Sequence, residues 1–391
     1  MKKQTGLTGN SAIAIAMKQI NPDVCPAYPI TPSTAIIEDF SSYVADGDVD
    51  TELITVESEH SAMSACIGAA AAGARVMTAT SSQGLALMWE MLYIASGMRL
   101  PIVITNVNRA LSAPINIHCD HSDSMGARDA GWVQLYSETV QEAYDNLIMA
   151  VRIAENEKVL LPVMVCLDGF ITSHAIENIT LLDKAEVQSF IGEYKPERSL
   201  LDIDHPSTFG AMTLQDAYMT FKHQQSEAMT RAKDVVSSVS AEFAKKFGRN
   251  YGLIDAYRLE DAEIAIVILN SAAGTTKVVV DELRKQGKKA GMLRLRLFRP
   301  LPHKEIADAL KNCKAVAVLD RADSMNDFGG PLFNEVRSAL YDGETRPKVI
   351  SRIYGLGGRD YKIKDATDVF DELSAAVKTG KTDTLTKYIT L

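Results

Sequence analysis

Residues 75–110 read RVMTATSSQGLALMWEMLYIASGMRLPIVITNVNRA. A short apolar run, Val76–Ala79, is followed by the polar turn Ala79-Thr80-Ser81-Ser82-Gln83-Gly84. A helical pattern over Leu85–Ser96 comes next, then a second apolar run, Ile102–Val107. Neither run shows the strict apolar–polar alternation of a strand with one face in water, so both read as strands covered on two faces. Strand, helix and strand in this form make a unit of parallel sheet.

The same alternation continues in both directions. Further strands are predicted at Leu53–Val56, Val163–Leu167, Ile264–Leu269, Met292–Leu297, Ala315–Leu319 and Val349–Tyr354. Helices are predicted at Asn10–Gln19, Glu59–Ala72, Val140–Asn156 and Thr276–Gln286. The expected class is α/β, with two domains built on mostly parallel sheets. The pattern breaks once. Residues 192–212 read as an irregular arm. Leu214, Tyr218, Phe221, Ala228, Ala232, Val235, Val239, Phe243 and Phe247 then recur at helical spacing and stop at Gly248, a good cap residue. The expected division is a first α/β domain over 1–190, an arm and long connecting helix over 191–250, and a second α/β domain over 251–391.

Composition sets the outer bounds. At ~150 residues per domain, 391 residues suggest two or three domains. A net charge of −9 argues against a nucleic-acid partner, which calls for a basic face. The most apolar stretches, Pro101–Val107 and Val159–Leu167, fall well short of the ~20 residues of a spanning helix. Met1-Lys2-Lys3-Gln4 leads into polar residues, so no export signal or membrane partner is expected and the cytoplasm is the expected location. Cys25, Cys66, Cys119, Cys166 and Cys313 are scattered with no C-x-x-C, as expected for free thiols in a reducing compartment.

In parallel sheets, ligands bind at the loops after the strands' carboxyl ends, and several such loops carry chemistry. Tyr28-Pro29-Ile30-Thr31-Pro32-Ser33 is stiffened by prolines around Thr31, with Ser33 or Thr34 placed to cap the next helix. Val56-Glu57-Ser58-Glu59-His60-Ser61 puts two carboxylates at the start of a helix made almost wholly of small residues. Those carboxylates suit the helix dipole, and one of them, if poorly solvated, is a candidate acid or base. The turn 79–84 reads as a capping turn able to offer hydroxyls and N–H groups. Thr105-Asn106-Val107-Asn108-Arg109-Ala110 ends in an arginine able to hold a small carboxylate bidentately. His118-Cys119-Asp120-His121-Ser122-Asp123 reads as a polar active-site loop, since its spacing matches no common zinc site. Ser271 reads as a helix cap. Gly355-Leu356-Gly357-Gly358 is misplaced for a dinucleotide fingerprint, and no Walker A string occurs.

Together, Y-P-I-T-P-S-T (28–34), E-S-E-H-S-A (57–62), T-N-V-N-R-A (105–110) and L-S-A-P-I-N-I-H-C-D-H-S-D-S-M-G-A-R-D-A-G-W (111–132) closely resemble the alpha subunits of the pyruvate:ferredoxin oxidoreductases, or pyruvate synthases, of the 2-oxoacid:ferredoxin oxidoreductase family. L-L-D-I-D-H-P-S-T-F-G in the arm and L-R-L-F-R-P-L-P (295–302) extend the resemblance along essentially the whole chain. His118 departs from it, since related sequences often carry an aromatic residue such as Trp there.

The resemblance implies a thiamine pyrimidine-binding fold followed by a transketolase C-terminal-like domain, in an enzyme that also needs beta, gamma and delta chains. Thiamine diphosphate is then shared with a partner subunit, and Mg2+ and the [4Fe-4S] clusters lie on partner subunits. The family's metal signature begins Gly-Asp-Gly, and Asp46-Gly47-Asp48 is only its nearest string here. Pyruvate is decarboxylated, ferredoxin takes the electrons through the complex, and coenzyme A takes the acetyl group. Glu59 matches the glutamate that hydrogen-bonds N1′ of the pyrimidine, with Glu57 its local competitor. Thr31 and Arg109 match residues that contact the 2-oxoacid. A branched-chain 2-oxoacid substrate, or a non-catalytic scaffold subunit, are the alternatives. A 2-oxoglutarate enzyme is disfavoured, because its large subunit usually carries an extra domain ahead of the pyrimidine domain, which here begins within ten residues of Met1.

Overall fold

The computed structural model describes residues 4–343, 345–382 and 384–391. Two main sheets carry the chain. The first runs in the order Leu297–Arg299, Val133–Tyr136, Val163–Asp168, Val103–Asn108, Met77–Thr80. A parallel bridge between Val24 and Val76 attaches the parallel pair Val24–Ala27 and Glu52–Thr55 to its edge. The second runs Thr386–Tyr388, Lys348–Ile353, Ala315–Asp320, Ile264–Ile268, Ala290–Leu295, Ile254–Tyr257. Both are parallel except at one edge strand each, Leu297–Arg299 and Ile254–Tyr257. A small antiparallel pair, Gln4–Thr8 with Ile176–Thr180, lies apart. The expected α/β class with mostly parallel sheets is what the chain forms.

The mainly apolar runs behave as two-sided coverage requires. Val103–Asn108, Val163–Asp168, Ile264–Ile268 and Ala315–Asp320 are buried at every position. Met292–Leu297, predicted as one strand, is two. Ala290–Leu295 stays in the second sheet, while Leu297–Arg299 crosses to pair antiparallel with Val133–Tyr136 of the first. The break falls at Arg296, whose buried guanidinium donates to Asn146 Oδ1 (2.8 Å), Ser240 Oγ (3.2 Å) and the Gly252 carbonyl (3.3 Å). A buried charge has to be satisfied, and those side-chain acceptors lie on helices Val140–Ala154 and Tyr218–Phe247, packed against the first sheet. The helix predicted over Leu85–Ser96 is also two, Ser82–Leu87 and Trp89–Gly97, parted at Met88, whose ψ of −2° opens the turn.

The long helix spans Tyr218–Phe247, 30 residues, and stops at the predicted cap Gly248. At ~1.5 Å per residue it is ~45 Å long. It does not cross open space. Ala228, Ala232, Val235, Val239 and Phe243 join the same core as helix Val140–Ala154 and the first sheet. A second core contains Met63, Cys66 and Tyr136 from the first half and Val267, Leu295 and Phe333 from the second. The halves therefore share both a sheet edge and a core, and loops from the strand ends of both sheets meet. No helix among the described residues is long and apolar enough to cross a membrane.

Candidate active site

Helix Glu59–Ala71 is opened by Ser58, whose hydroxyl accepts from the Ser61 amide at 3.2 Å. Glu59, its first residue, is 6% exposed. Its carboxylate takes no hydrogen bond or ion pair from any described side chain or backbone group. Gly84 of helix Ser82–Leu87 lies directly against it: a Cβ there would stand 2.8 Å from Glu59 Oε1. Thr80 Oγ1 and Ser81 Oγ are buried nearby in sequence, also without partners. Buried polar atoms are nearly always satisfied, so this group of atoms is arranged for something outside the chain's own donors. Glu57 differs. It is exposed, and a hydrogen bond from the Ser61 hydroxyl holds its carboxyl below the usual range.

Arg109 follows strand Val103–Asn108 and is 7% exposed. Its Nη1 donates to the Thr31 carbonyl at 2.9 Å and its Nε to the Asn116 carbonyl at 3.0 Å. Burial lowers its pKa from the ordinary guanidinium value. Thr31 is exposed, with its hydroxyl uncommitted among the described residues. The turn beneath it is fixed by Asn10 Nδ2 donating to the Pro32 carbonyl at 2.7 Å. The expected cap from Ser33 or Thr34 does not form, because the Ser33 hydroxyl donates back to the Ile30 carbonyl. Nor does Ser81 cap its helix.

Thr31 and Arg109 are thus brought into contact, while Glu59 bonds neither of them; the helix Ser82–Leu87 that packs against Glu59 is held to the Arg109 loop through Asp123. This buried carboxylate accepts from the Ser82 amide (3.0 Å), Asn106 Nδ2 (3.2 Å), Asn108 Nδ2 (2.8 Å), the Arg109 amide (3.0 Å) and the Ser124 amide (2.7 Å). Burial raises its pKa against those bonds. Asp123 ties the ends of strands Met77–Thr80 and Val103–Asn108 together, and so fixes Gly84's helix relative to Arg109.

The rest of loop 118–123 divides. The exposed His118 ring packs on Phe170, which stacks on His174, with centroids 4.9 and 4.6 Å apart. Cys119 and His121 point inward to Asp168, a residue not singled out from the sequence. Asp168 accepts from His121 Nε2 (2.8 Å), Asn270 Nδ2 (2.9 Å), Arg321 Nη1 (3.2 Å) and the Ser271 hydroxyl. Burial opposes its charge, yet Arg321 and His121 hold its pKa far below the usual carboxylate range. Ser271, expected as a plain cap, makes no capping bond and serves this carboxylate instead. Cys119, His121 and Asp168 come close enough to suggest a metal. Arg321 already contacts both Asp168 and Cys119 Sγ (3.6 Å), so the place for a cation is taken by a guanidinium. Asp46-Gly47-Asp48 lies at the end of helix Thr34–Ala45, where Asp48 pairs with Lys18.

Residues 15–241 match the family model described as pyruvate flavodoxin/ferredoxin oxidoreductase, thiamine diphosphate-binding, and residues 262–366 match pyruvate:ferredoxin oxidoreductase core domain II. The chain belongs to the pyruvate:ferredoxin oxidoreductase family. Among its relatives in that family is the pyruvate synthase subunit PorA of Thermotoga maritima, 54% identical over 95% of this chain and 94% of that one. The corresponding subunit of Methanocaldococcus jannaschii is 52% identical over 95% of each. The ketoisovalerate oxidoreductase subunit VorA of Pyrococcus horikoshii is 43% identical over 96% of this chain and 95% of that one. The pyruvate:ferredoxin oxidoreductase fold is also that of a solved 2-oxoglutarate:ferredoxin oxidoreductase from Magnetococcus marinus. That match has a TM-score of 0.72 at 19% identity, over 95% of this chain and 65% of that one.

Proposed function

We propose that this chain is the alpha subunit of a thiamine-dependent pyruvate:ferredoxin oxidoreductase. The complex converts pyruvate, coenzyme A and two oxidised ferredoxins to acetyl-CoA, carbon dioxide, two reduced ferredoxins and a proton, reversibly. The observation that carries the reading is Glu59, a buried carboxylate with no internal donor and a glycine cleared against its oxygen. That arrangement suits a flat aminopyrimidine whose N1′ position carries a proton. When bound, thiamine diphosphate supplies the carbon nucleophile and the electron sink.

In this reading Glu59 holds the proton at N1′. Arg109 turns its uncommitted N–H groups to the substrate carboxylate, and Thr31 offers its hydroxyl to the keto oxygen. Residues 1–190 form the pyrimidine-binding domain, 191–250 the arm and connecting helix, and 251–391 the transketolase C-terminal-like domain. The diphosphate with its Mg2+, and the [4Fe-4S] clusters, are assigned to the beta, gamma and delta subunits. In support, the group of metal-ligating residue types brought together among the described residues, Cys119, His121 and Asp168, holds a single cysteine, where a cluster needs several. The cytoplasm is the proposed location.

The relatives named for pyruvate, at 54% and 52% identity, favour pyruvate over the branched-chain 2-oxoacid suggested by the ketoisovalerate relative at 43%. The test is turnover by the chain co-purified with its partner chains, with pyruvate and 2-oxoisovalerate compared. Higher kcat/KM on pyruvate is expected, with no turnover by the lone chain. Higher kcat/KM on 2-oxoisovalerate would transfer the chain to the branched-chain enzymes, and no turnover of either would leave a scaffold subunit.

A further inference from the structure

The turn Gly355-Leu356-Gly357-Gly358 lies just after strand Lys348–Ile353 of the second sheet, far in sequence from Arg109, yet it grips the loop that holds Arg109. The links are continuous. Arg109 Nε donates to the Asn116 carbonyl at 3.0 Å. Asn116 Nδ2 donates to the Gly357 carbonyl at 3.0 Å, and Asn116 Oδ1 accepts from the His118 amide at 2.7 Å. The Gly358 amide donates to the Cys119 carbonyl at 2.6 Å, and the Gly357 amide to Asp120 Oδ2 at 3.3 Å. On the other side the His121 amide donates to the Arg321 carbonyl at 2.7 Å.

The approach leaves no room for side chains on the turn. Gly357 and Gly358 have φ of +60° and +82°, which L side chains rarely adopt. A Cβ on Gly357 would stand 2.5 Å from Asn116 Nδ2, and one on Gly358 would overlap the Cβ of His118.

We infer that the Gly355–Gly358 turn and Asn116 are positioning elements for the 2-oxoacid: the second domain sets the direction of the Arg109 guanidinium through the Asn116 carbonyl. This rests on the proposed role of Arg109. Arg109 has two hydrogen bonds to fix its fork. The Thr31 carbonyl comes from the first half, and the Asn116 carbonyl is placed by the second. Removing the second anchor frees the guanidinium to swing about its one remaining bond. The charge is kept, but the two-point alignment with a planar carboxylate is lost.

The experiment is steady-state kinetics on the reconstituted complex carrying Asn116→Ala, Gly358→Ala, Arg109→Ala or Val369→Ala. The last lies in the second sheet's core, away from the loop, and serves as a stability control. Asn116→Ala and Gly358→Ala should raise KM for pyruvate about tenfold. Activation by thiamine diphosphate should be unchanged and kcat altered much less than KM. Val369→Ala should lower Tm with KM unchanged. If Gly358→Ala does not fold, Asn116→Ala decides. A KM rise in Arg109→Ala without one in Asn116→Ala overturns the inference alone. An unchanged KM in Arg109→Ala overturns the reading of Arg109 and the inference with it.

Discussion

Replacing Arg109 by alanine should cost the complex roughly ten- to 150-fold in kcat/KM for pyruvate. A guanidinium carries five N–H donors. Two are committed here, Nε–H to the Asn116 carbonyl and one Nη1–H to the Thr31 carbonyl. The second Nη1–H and both Nη2–H groups remain, a set able to meet a carboxylate at two points. Hydrogen bonds to charged groups are worth ~1.5–3 kcal/mol, and ~1.4 kcal/mol is a factor of ten, which gives the stated range. The structural cost is smaller. Thr31 lies at the surface, where water replaces the lost donor, so a stability loss of about 1 kcal/mol and a Tm shift of a few degrees are expected. Arg109→Lys should fall between, because an ammonium keeps the charge without the fork. The assay is initial-rate kinetics on pyruvate with differential scanning fluorimetry of the same samples. An unchanged kcat/KM in Arg109→Ala would make Arg109 a structural arginine with no part in holding the substrate.

Three further expectations rest on other parts of the site. Thr31→Ala removes a neutral hydroxyl, worth ~0.5–1.5 kcal/mol, so kcat/KM should drop by less than in Arg109→Ala; an equal or larger drop would reassign the main contact. Gly84→Ala places a methyl group 2.4 Å from the buried Thr80 Oγ1 and 2.8 Å from Glu59 Oε1, so it should lower Tm by a few degrees and raise the thiamine diphosphate concentration needed for activity; full activity at unchanged cofactor concentration would show that the space there is unused. Arg321→Met leaves Asp168 buried without its guanidinium and should destabilise the chain by about 3–5 kcal/mol at neutral pH, with partial recovery in Asp168→Asn/Arg321→Met. Because the folded pKa of Asp168 is depressed, the stability it contributes is complete above about pH 4, its unfolded value, and is lost as pH falls below that. The gap between wild type and Arg321→Met in thermal melts should therefore narrow in acid, and a gap that widens would contradict the pairing.

The strands at Val163–Asp168 and Ala315–Asp320 were legible because two-sided burial leaves an unbroken apolar run. Val24–Ala27 and Thr386–Tyr388 were not, since the first is interrupted by Pro26 and the second is three residues with no apolar run. The loops bearing Glu59 and Arg109 could be read because each follows a predicted strand, and the Thr31 loop because prolines flank it. Asp168 and Arg321 were missed although both sit at strand ends too. The available signal was a charged residue closing an otherwise apolar run, in Val-Met-Val-Cys-Leu-Asp168 and in Ala-Val-Ala-Val-Leu-Asp320-Arg321. Their pairing across 153 residues is a tertiary fact that no local pattern holds. The split of Met292–Leu297 had a trace as well, in two arginines, Arg294 and Arg296, within a run otherwise fit for a core. Gly355–Gly358 was visible only as a misplaced glycine string, because its fit to Asn116 and His118 depends on how the two halves meet.

Glu59 of this chain is proposed to control the proton at N1′ of thiamine diphosphate held in the complex. The most direct measurement is the rate of hydrogen–deuterium exchange at C2 of the bound cofactor, followed by quench-flow and NMR in reconstituted complexes carrying wild-type Glu59, Glu59→Gln or Glu57→Gln. Positioned acid–base groups contribute on the order of 10²- to 10⁴-fold, so Glu59→Gln should slow exchange by that factor with Tm nearly unchanged, while Glu57→Gln exchanges close to the wild-type rate. Wild-type exchange in Glu59→Gln would contradict the account, and loss of exchange in Glu57→Gln instead would move the role to the exposed carboxylate.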